Sequence, residues 1–208
     1  MYCLLKNNSL LKKVLLPAIY TIFCLAFTPF AYSQVNPTPA AERMQSMEQR
    51  RKLESNSLLK EVPFRNIGPS IMSGRVVDID ANPGDPTEFY VAYATGGLWH
   101  TTNNGQSFTP IMDSLDMLFI GDIAVNWKTK TIWLGSGEVN SSRSSYAGVG
   151  MYKSNNNGKT WEYLGLPESH HIGKIQLHPT DNNIAWVAAL GHLYSANKER
   201  GVYKTTDG

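Results

Sequence analysis

The phrase HTTNNGQSF at 100–108 returns as KSNNNGKTW at 153–161, and KTTDG opens it a third time at 204. Ahead of each copy lies a stretch of short apolar runs that can be laid over its counterparts, led by Gly74, Gly121 and Gly173. Both series recur at about 50 residues, a period typical of repeats built from several short strands. A unit of that length cannot bury its own hydrophobic face, so neighbouring units must stack. Within one unit, RVVDID or KIQLH reads as a first strand and EFYVAYA or IAWVAAL as a second. LWHTT or MYKSN reads as a third, and SFTPI or TWEYL as a short fourth. These runs are rich in β-branched and aromatic residues and are bounded by Gly, Asn, Pro and Asp, as strands are. No segment beyond Val62 has helical periodicity. The expectation is an all-β fold, a β-propeller of four-stranded blades, with about three blades at 64–112, 113–166 and 167–208. A propeller ring closes with four to eight blades, so the ring is expected to be incomplete here and to continue beyond Gly208.

The repeated phrase falls in the hairpin between the third and fourth strands of each blade. Asn103, Asn156 and Asp207 are placed to turn their side-chain oxygens onto nearby backbone N–H groups, and Thr101, Ser154 and Thr205 to add a further bond. Gly105 and Gly158 supply the positive φ that the turn needs. Phe108 and Trp161 are expected to drop an aromatic ring into the apolar space between blades. The pattern is the Asp box, Ser/Thr-x-Asp-x-Gly-x-Thr/Ser-Trp/Phe, with Asn for Asp in its first two copies. Its polar atoms are consumed by its own turn, so its role is structural.

The segment before the repeats has a different character. Lys6, Lys12 and Lys13 precede an uncharged apolar run, Val14 to Tyr32, that ends in Ala31-Tyr32-Ser33. This reads as a secretory signal peptide over 1–33, cleaved before Gln34; the alternative is an uncleaved membrane anchor. The expected location is therefore the cell exterior, periplasm or envelope, with membrane contact only through this segment if it is retained. Cys3 and Cys24 both fall inside it, leaving no cysteine for disulfide or thiolate chemistry in the mature chain. Residues 34–62 read as a linker or surface helix, with Ala40–Leu53 helical and a sparse apolar face at Met44, Met47 and Leu53. Formal net charge is only +2, and no basic run interleaves with aromatics, which excludes a nucleic-acid partner on electrostatic grounds.

Candidate functional residues come from loop length. Antiparallel strand order places the Asp boxes at one end of each blade and the second-to-third loops at the other. That loop is minimal in blade 1, Thr95-Gly96-Gly97, but long at 135–150 in blade 2 and at 191–201 in blade 3. Insertions on one face of a repeat array mark a binding face. Glu138, Asn140, Arg143 and Tyr146 lie in the first long loop; His192, Tyr194, Asn197, Glu199 and Arg200 lie in the second. Together they offer the groups that hold a sugar or a peptide carboxylate. The competing reading is that Glu138, Arg143, Glu199 and Arg200 are salt-bridged and fix the loops. No metal site is expected, since adjacent His170 and His171 on a strand would point to opposite faces and His178 precedes a Pro in a turn. No cofactor is expected. Asn140-Ser141-Ser142 matches a glycosylation sequon.

The phrases GSGEVN, GVYKTTDG, HIGKIQLHP and VAALGH…NKERG resemble secreted bacterial Asp-box (BNR) repeat proteins related to sortilin-type propellers, over about Phe64 to Gly208. Such proteins are often described as glycosyl hydrolases. The resemblance implies a propeller at the cell envelope or exterior. The first blade also looks similar to that of Asp-box xyloglucanases, which carry a catalytic Asp two positions before the Gly-Gly that opens the third strand; that position is Ala94 here. Asp78 and Asp80 lie nearby, on the first strand instead. Sialidases share Asp boxes and need three arginines; Arg65, Arg75 and Arg143 are present, but the Phe-Arg-Ile-Pro phrase is interrupted. The expected function is a secreted propeller module that binds a protein, peptide or glycan partner through its loop face, without catalysis in these blades. The alternative is a glycoside hydrolase whose carboxylates lie mostly beyond Gly208.

Overall fold

A computed structural model of the chain describes residues 13, 17–21, 36–63, 74–140 and 145–208. The chain divides into two units, Met1–Val35 and Asn36–Gly208. In the first, residues 17–21 are helical. The expected signal segment, Cys3 and Cys24 lie almost wholly outside the described residues, as do Arg65 and Arg143. Among the described residues no helix is long and apolar enough to cross a membrane.

The second unit begins with helix α1, Ala40–Ser55, of which only Ala40 is buried. Among the described residues, eleven strands follow in three antiparallel sheets. The first sheet holds β1 (Val76–Ala81), β2 (Phe89–Tyr93), β3 (Gly97–Thr101) and β4 (Thr109–Pro110). The second holds β5 (Ile120–Asn126), β6 (Thr131–Ser136), β7 (Met151–Ser154) and β8 (Glu162–Gly165). The third holds β9 (Ile172–Leu177), β10 (Ala185–Ala189) and β11 (Gly201–Thr205). Every sheet meanders in chain order. The all-β reading of the sequence, as a series of small antiparallel sheets, is what the structure shows.

Period-two alternation sends one face of each sheet to each neighbour. Ile132 and Leu134 of β6 join Tyr90, Leu98, Met112, Ile120 and Ile123 in the core between the first two sheets. Trp133, between them in sequence, joins Ile172, Ile175, Ala185 and Val187 in the core on the other side. Each such side chain contributes roughly 1.5–3 kcal/mol on full burial, so the inter-sheet cores are the principal source of stability.

The first strands of successive sheets stand side by side, and carboxylates bridge them. Asp78 Oδ2 accepts from Ile123 N–H at 3.3 Å, Asp80 Oδ2 from Val125 N–H at 2.8 Å, and Asp122 Oδ2 from Ile175 N–H at 2.7 Å. Asp80 also accepts from the Trp127 indole at 2.6 Å. Here the structure corrects the sequence alignment. Each first strand opens with an irregularity in its pairing, between Val76 and Asp78, Ile120 and Asp122, and opposite Ala188 and Ala189. That makes Val77, not Gly74, the counterpart of Gly121 and Gly173. Gly121 is required for a different reason from a turn: a methyl group there would fall on the carbonyl oxygens of Ile172 and Gly137.

The Asp boxes close as the sequence implies. Ser154 Oγ accepts from Gly158 N–H at 2.8 Å and donates to Asn156 Oδ1 at 3.0 Å, and that oxygen accepts from Thr160 N–H at 2.9 Å. Thr101, Asn103, Gly105 and Ser107 repeat the pattern, and Thr205 donates to Asp207 at 2.8 Å. Left-handed φ falls at Asn104 and Asn157 as well as at Gly105 and Gly158. Trp161 packs against the core between the first two sheets and donates its indole N–H to Ile111 O at 3.0 Å. Phe108 lies edge-on to Phe89 of its own sheet, at 6.1 Å between ring centroids.

Candidate functional site at the loop end

The loop end of the sheets is assembled from two kinds of segment. The β2–β3, β6–β7 and β10–β11 connections supply one, and the β4–β5 and β8–β9 connectors supply the other. Backbone bonds knit them together. Gly137 N–H donates to Phe119 O at 3.0 Å, Gly148 N–H to His170 O at 2.7 Å, and Leu190 N–H to His171 O at 2.8 Å. Each loop is thus tied to the connector that enters its own sheet or leaves it for the next. Ser136 Oγ, fully buried, accepts from Val149 N–H and Gly150 N–H and donates to Gly150 O, which closes the long loop at its base.

Helix α1 is fastened to this end. The Ala40 N–H donates to Glu168 Oε1 at 2.8 Å, and Arg43 donates to the carbonyls of Gly148 and Pro167. Arg51 pairs with Asp116 in the β4–β5 connector. Below the helix, Met44, Met47, Val149, Tyr152 and Tyr163 line a small cavity.

Glu138 is 0 % exposed and pairs with Arg75 through Nε at 2.6 Å. Its partner is therefore Arg75, at the entry to β1. Its second oxygen has no partner among the described residues. Asn140 is exposed, and Tyr146 is 48 % exposed while stacking on Phe119 at 4.8 Å between ring centroids. Asn197 and Arg200 brace the second loop: Asn197 Oδ1 accepts from His192 N–H, and Arg200 donates to the Leu190 and His192 carbonyls at 2.7 Å each. Glu199 accepts the Tyr203 hydroxyl on its backbone carbonyl. Tyr194 is exposed.

Histidines supply what the sequence did not indicate. His170 and His171 are not on a strand: they follow a single 3-10 turn, Pro167–Ser169, whose flanking residues Leu166 and His170 hold left-handed φ of 62° and 53°. His170 is 5 % exposed and packs edge-to-face on His192 at 4.0 Å. Its Nε2 stands 3.7 Å from Glu168 Oε2. Burial, with the Arg43 charge nearby, pushes the His170 imidazole down to about 3 and that of His171 to about 4, so both rings are neutral. Arg43 Nε, Glu138 Oε2, Ser169 Oγ, His170 Nε2 and His171 Nδ1 are buried without a hydrogen-bond partner among the described residues. All five lie at the loop end.

An open cleft of about 510 Å³ adjoins this region, lined by Arg50, Thr95, Trp99, Asp113, Asp116 and Phe119. Ala94 is buried, and its backbone is paired to Arg75 and Ile120. It supplies no acid or base.

No protein-family model and no curated protein matches this sequence. Among solved structures the chain is similar to an ancestral GH74 enzyme, at 21% identity over 64% of this chain and 17% of that one, with a TM-score of 0.48. It is similar to PorZ, a bacterial surface component of the type-IX secretion system of Porphyromonas gingivalis, at 19% identity over 61% and 17%, with a TM-score of 0.46. It is also similar to YCF48 from Cyanidioschyzon merolae, at 16% identity over 67% and 39%, with a TM-score of 0.42. The chain thus spans between about a sixth and two fifths of these structures.

Proposed function

We propose that the chain belongs to an exported β-propeller module that binds a protein, peptide or glycan partner through the loop end of its blades, with no chemistry in these blades. One observation carries the reading. All five buried side-chain polar atoms that lack a partner among the described residues gather at the loop end, and such groups in a folded protein are the ones that await a ligand, an ion or water. The same end carries Asn140, Tyr146 and Tyr194, all exposed, on loops whose described bases are tied to the sheets by buried hydrogen bonds. In blade 1 the buried Ala94 offers no ionisable group where the xyloglucanase resemblance implies a carboxylate, which favours binding over hydrolysis.

The test is an array of soluble glycans and peptides probed with the purified chain, followed by Tyr146→Ala and Asn140→Ala. A ligand whose affinity falls about tenfold in these variants, about 1.4 kcal/mol, and is unchanged by Lys159→Ala, at the Asp-box end, supports the reading. Release of sugar from an array glycan overturns it in favour of a glycoside hydrolase. Export is tested separately, by whether the mature protein recovered outside the cytoplasm begins at Gln34.

A further inference from the structure

We propose that Glu168, His170 and His192 form a site for a zinc-class divalent ion, with one coordination position left open at the loop end. The proposal shares one observation with the partner-binding reading, the unpartnered His170 Nε2, but ion uptake by the chain alone tests it whether or not a partner binds. Each residue offers one donor atom, and the three donors lie within 4.8 Å of one another. Two come from the β8–β9 connector and one from the β10–β11 loop. The antiparallel pairing of Ile172 with Ala189 fixes both segments at the same end of the sheet. His170 Nε2 is the atom a metal would replace a partner for: it is buried, it has no hydrogen bond, and it is aimed at Glu168 Oε2.

The surrounding bonds hold the donors in ligand geometry. His192 Nδ1 bonds the Ser195 hydroxyl at 2.9 Å, which leaves Nε2 as the ligand atom and sets the ring orientation. Glu168 Oε1 is occupied by the Ala40 N–H, so Oε2 is the one to coordinate. Asn197 clasps both arms, accepting from His192 N–H and donating to Glu168 O at 3.1 Å. Arg43 stands 3.6 Å from Glu168 Oε2, but its hydrogen bonds go to the Gly148 and Pro167 carbonyls. It acts as an outer positive charge that weakens the site without filling it.

The donor set selects the ion. Two imidazoles and one carboxylate with an open fourth position suit zinc and its borderline neighbours. Calcium and magnesium require mostly oxygen ligands, six or more for calcium. Ligand bonds of about 2.0–2.2 Å require the three donors to draw together, by rotations of side chains carried on loops.

The test uses the tag-free chain, stripped with a chelator and titrated with Zn2+ alone by calorimetry; Co2+ replaces Zn2+ for an optical spectrum. The expected result is one ion per chain and an intense, tetrahedral-type Co2+ spectrum. Affinity should fall by roughly 100-fold or more in His170→Asn and in His192→Asn, and by about 10-fold in Ser195→Ala, as for loss of an outer-shell partner. His178→Asn, whose ring bonds the turn at Thr180 and Asp181, should leave it unchanged. Stripped variants are compared by thermal melting. If His170→Asn unfolds, His192→Asn decides, since His192 is only half-buried and on a loop. No uptake overturns the proposal. So does uptake that survives both ligand substitutions, or a weak octahedral spectrum.

Discussion

Ser154 shows how much structure one hydroxyl carries. It is 0 % exposed and serves the N–H groups of Asn156 and Gly158 while donating to Asn156 Oδ1. Replacing it with Ala leaves the buried Gly158 N–H, and the more exposed Asn156 N–H, short of their acceptor, which costs roughly 1–3 kcal/mol. Ser154→Ala should therefore lower the urea midpoint clearly, with an unchanged slope. Lys159→Ala, exposed on the same hairpin, should leave it within error. These turns were legible from sequence because each bond spans two or four residues, so local chemistry decides them. The Arg75–Glu138 pair was not legible. Its partners lie 63 residues apart, and only the packing of one sheet on the next brings them together. A charged residue in a long loop carries no mark that says whether it faces solvent or a neighbouring blade.

At the scale of elements, α1 shows a helix held by its ends and by charge. Its apolar face is sparse: Leu53 is exposed, Met44 is largely so, and only Met47 packs on the core. Arg43, in contact with the Gly148 and Pro167 carbonyls, is its principal fastening. Arg43→Ala should raise hydrogen exchange throughout Ala40–Ser55 while leaving protection in β5–β7 unchanged, because those strands are held by the inter-sheet cores. If β5–β7 loosens to the same extent, the helix is integral to the fold and not an appendage. Gly121→Ala tests the opposite kind of position. A methyl group meets backbone carbonyls of β9 and of the β6–β7 loop there, which cannot yield as a side chain would. It should destabilise by about 1–3 kcal/mol, read as a drop in the thermal midpoint. The strands themselves were legible in their alternation and turn residues. The three-residue misalignment of Gly74 with Gly121 arose because Val77 stands in the first sheet where the other two carry glycine, so matching glycine to glycine shifted that copy. The histidine cluster escaped for a related reason. Adjacency of His170 and His171 directed attention to each other, whereas the β9–β10 register brings His170 to His192.

Across the three sheets, the first strand of each is joined to the first strand of the next by carboxylates that accept backbone N–H groups. This device couples blade assembly to protonation. Asp122 is 4 % exposed, and burial pushes its carboxyl up to about 6, against the opposing hydrogen bonds from Lys174 and Ile175 N–H. A carboxyl whose folded pKa lies above its unfolded value holds a proton in the folded state that the unfolded chain has already lost. Its contribution to stability is therefore fully present below about pH 4, and it is lost as pH rises through about 6. Asp122→Asn removes that dependence while retaining an oxygen to accept the Ile175 N–H. Urea denaturation of both proteins across pH 4 to 8 should show the wild-type chain losing ground to the variant between about pH 4 and 6, with a constant difference above pH 7. A difference that is flat throughout, or that moves in favour of the wild type as pH rises, would mean the inter-strand carboxylate is ionised at its seat. In that case the seam is held by the Asp122–Lys174 ion pair, at 2.9 Å, and not by a proton-sharing carboxyl.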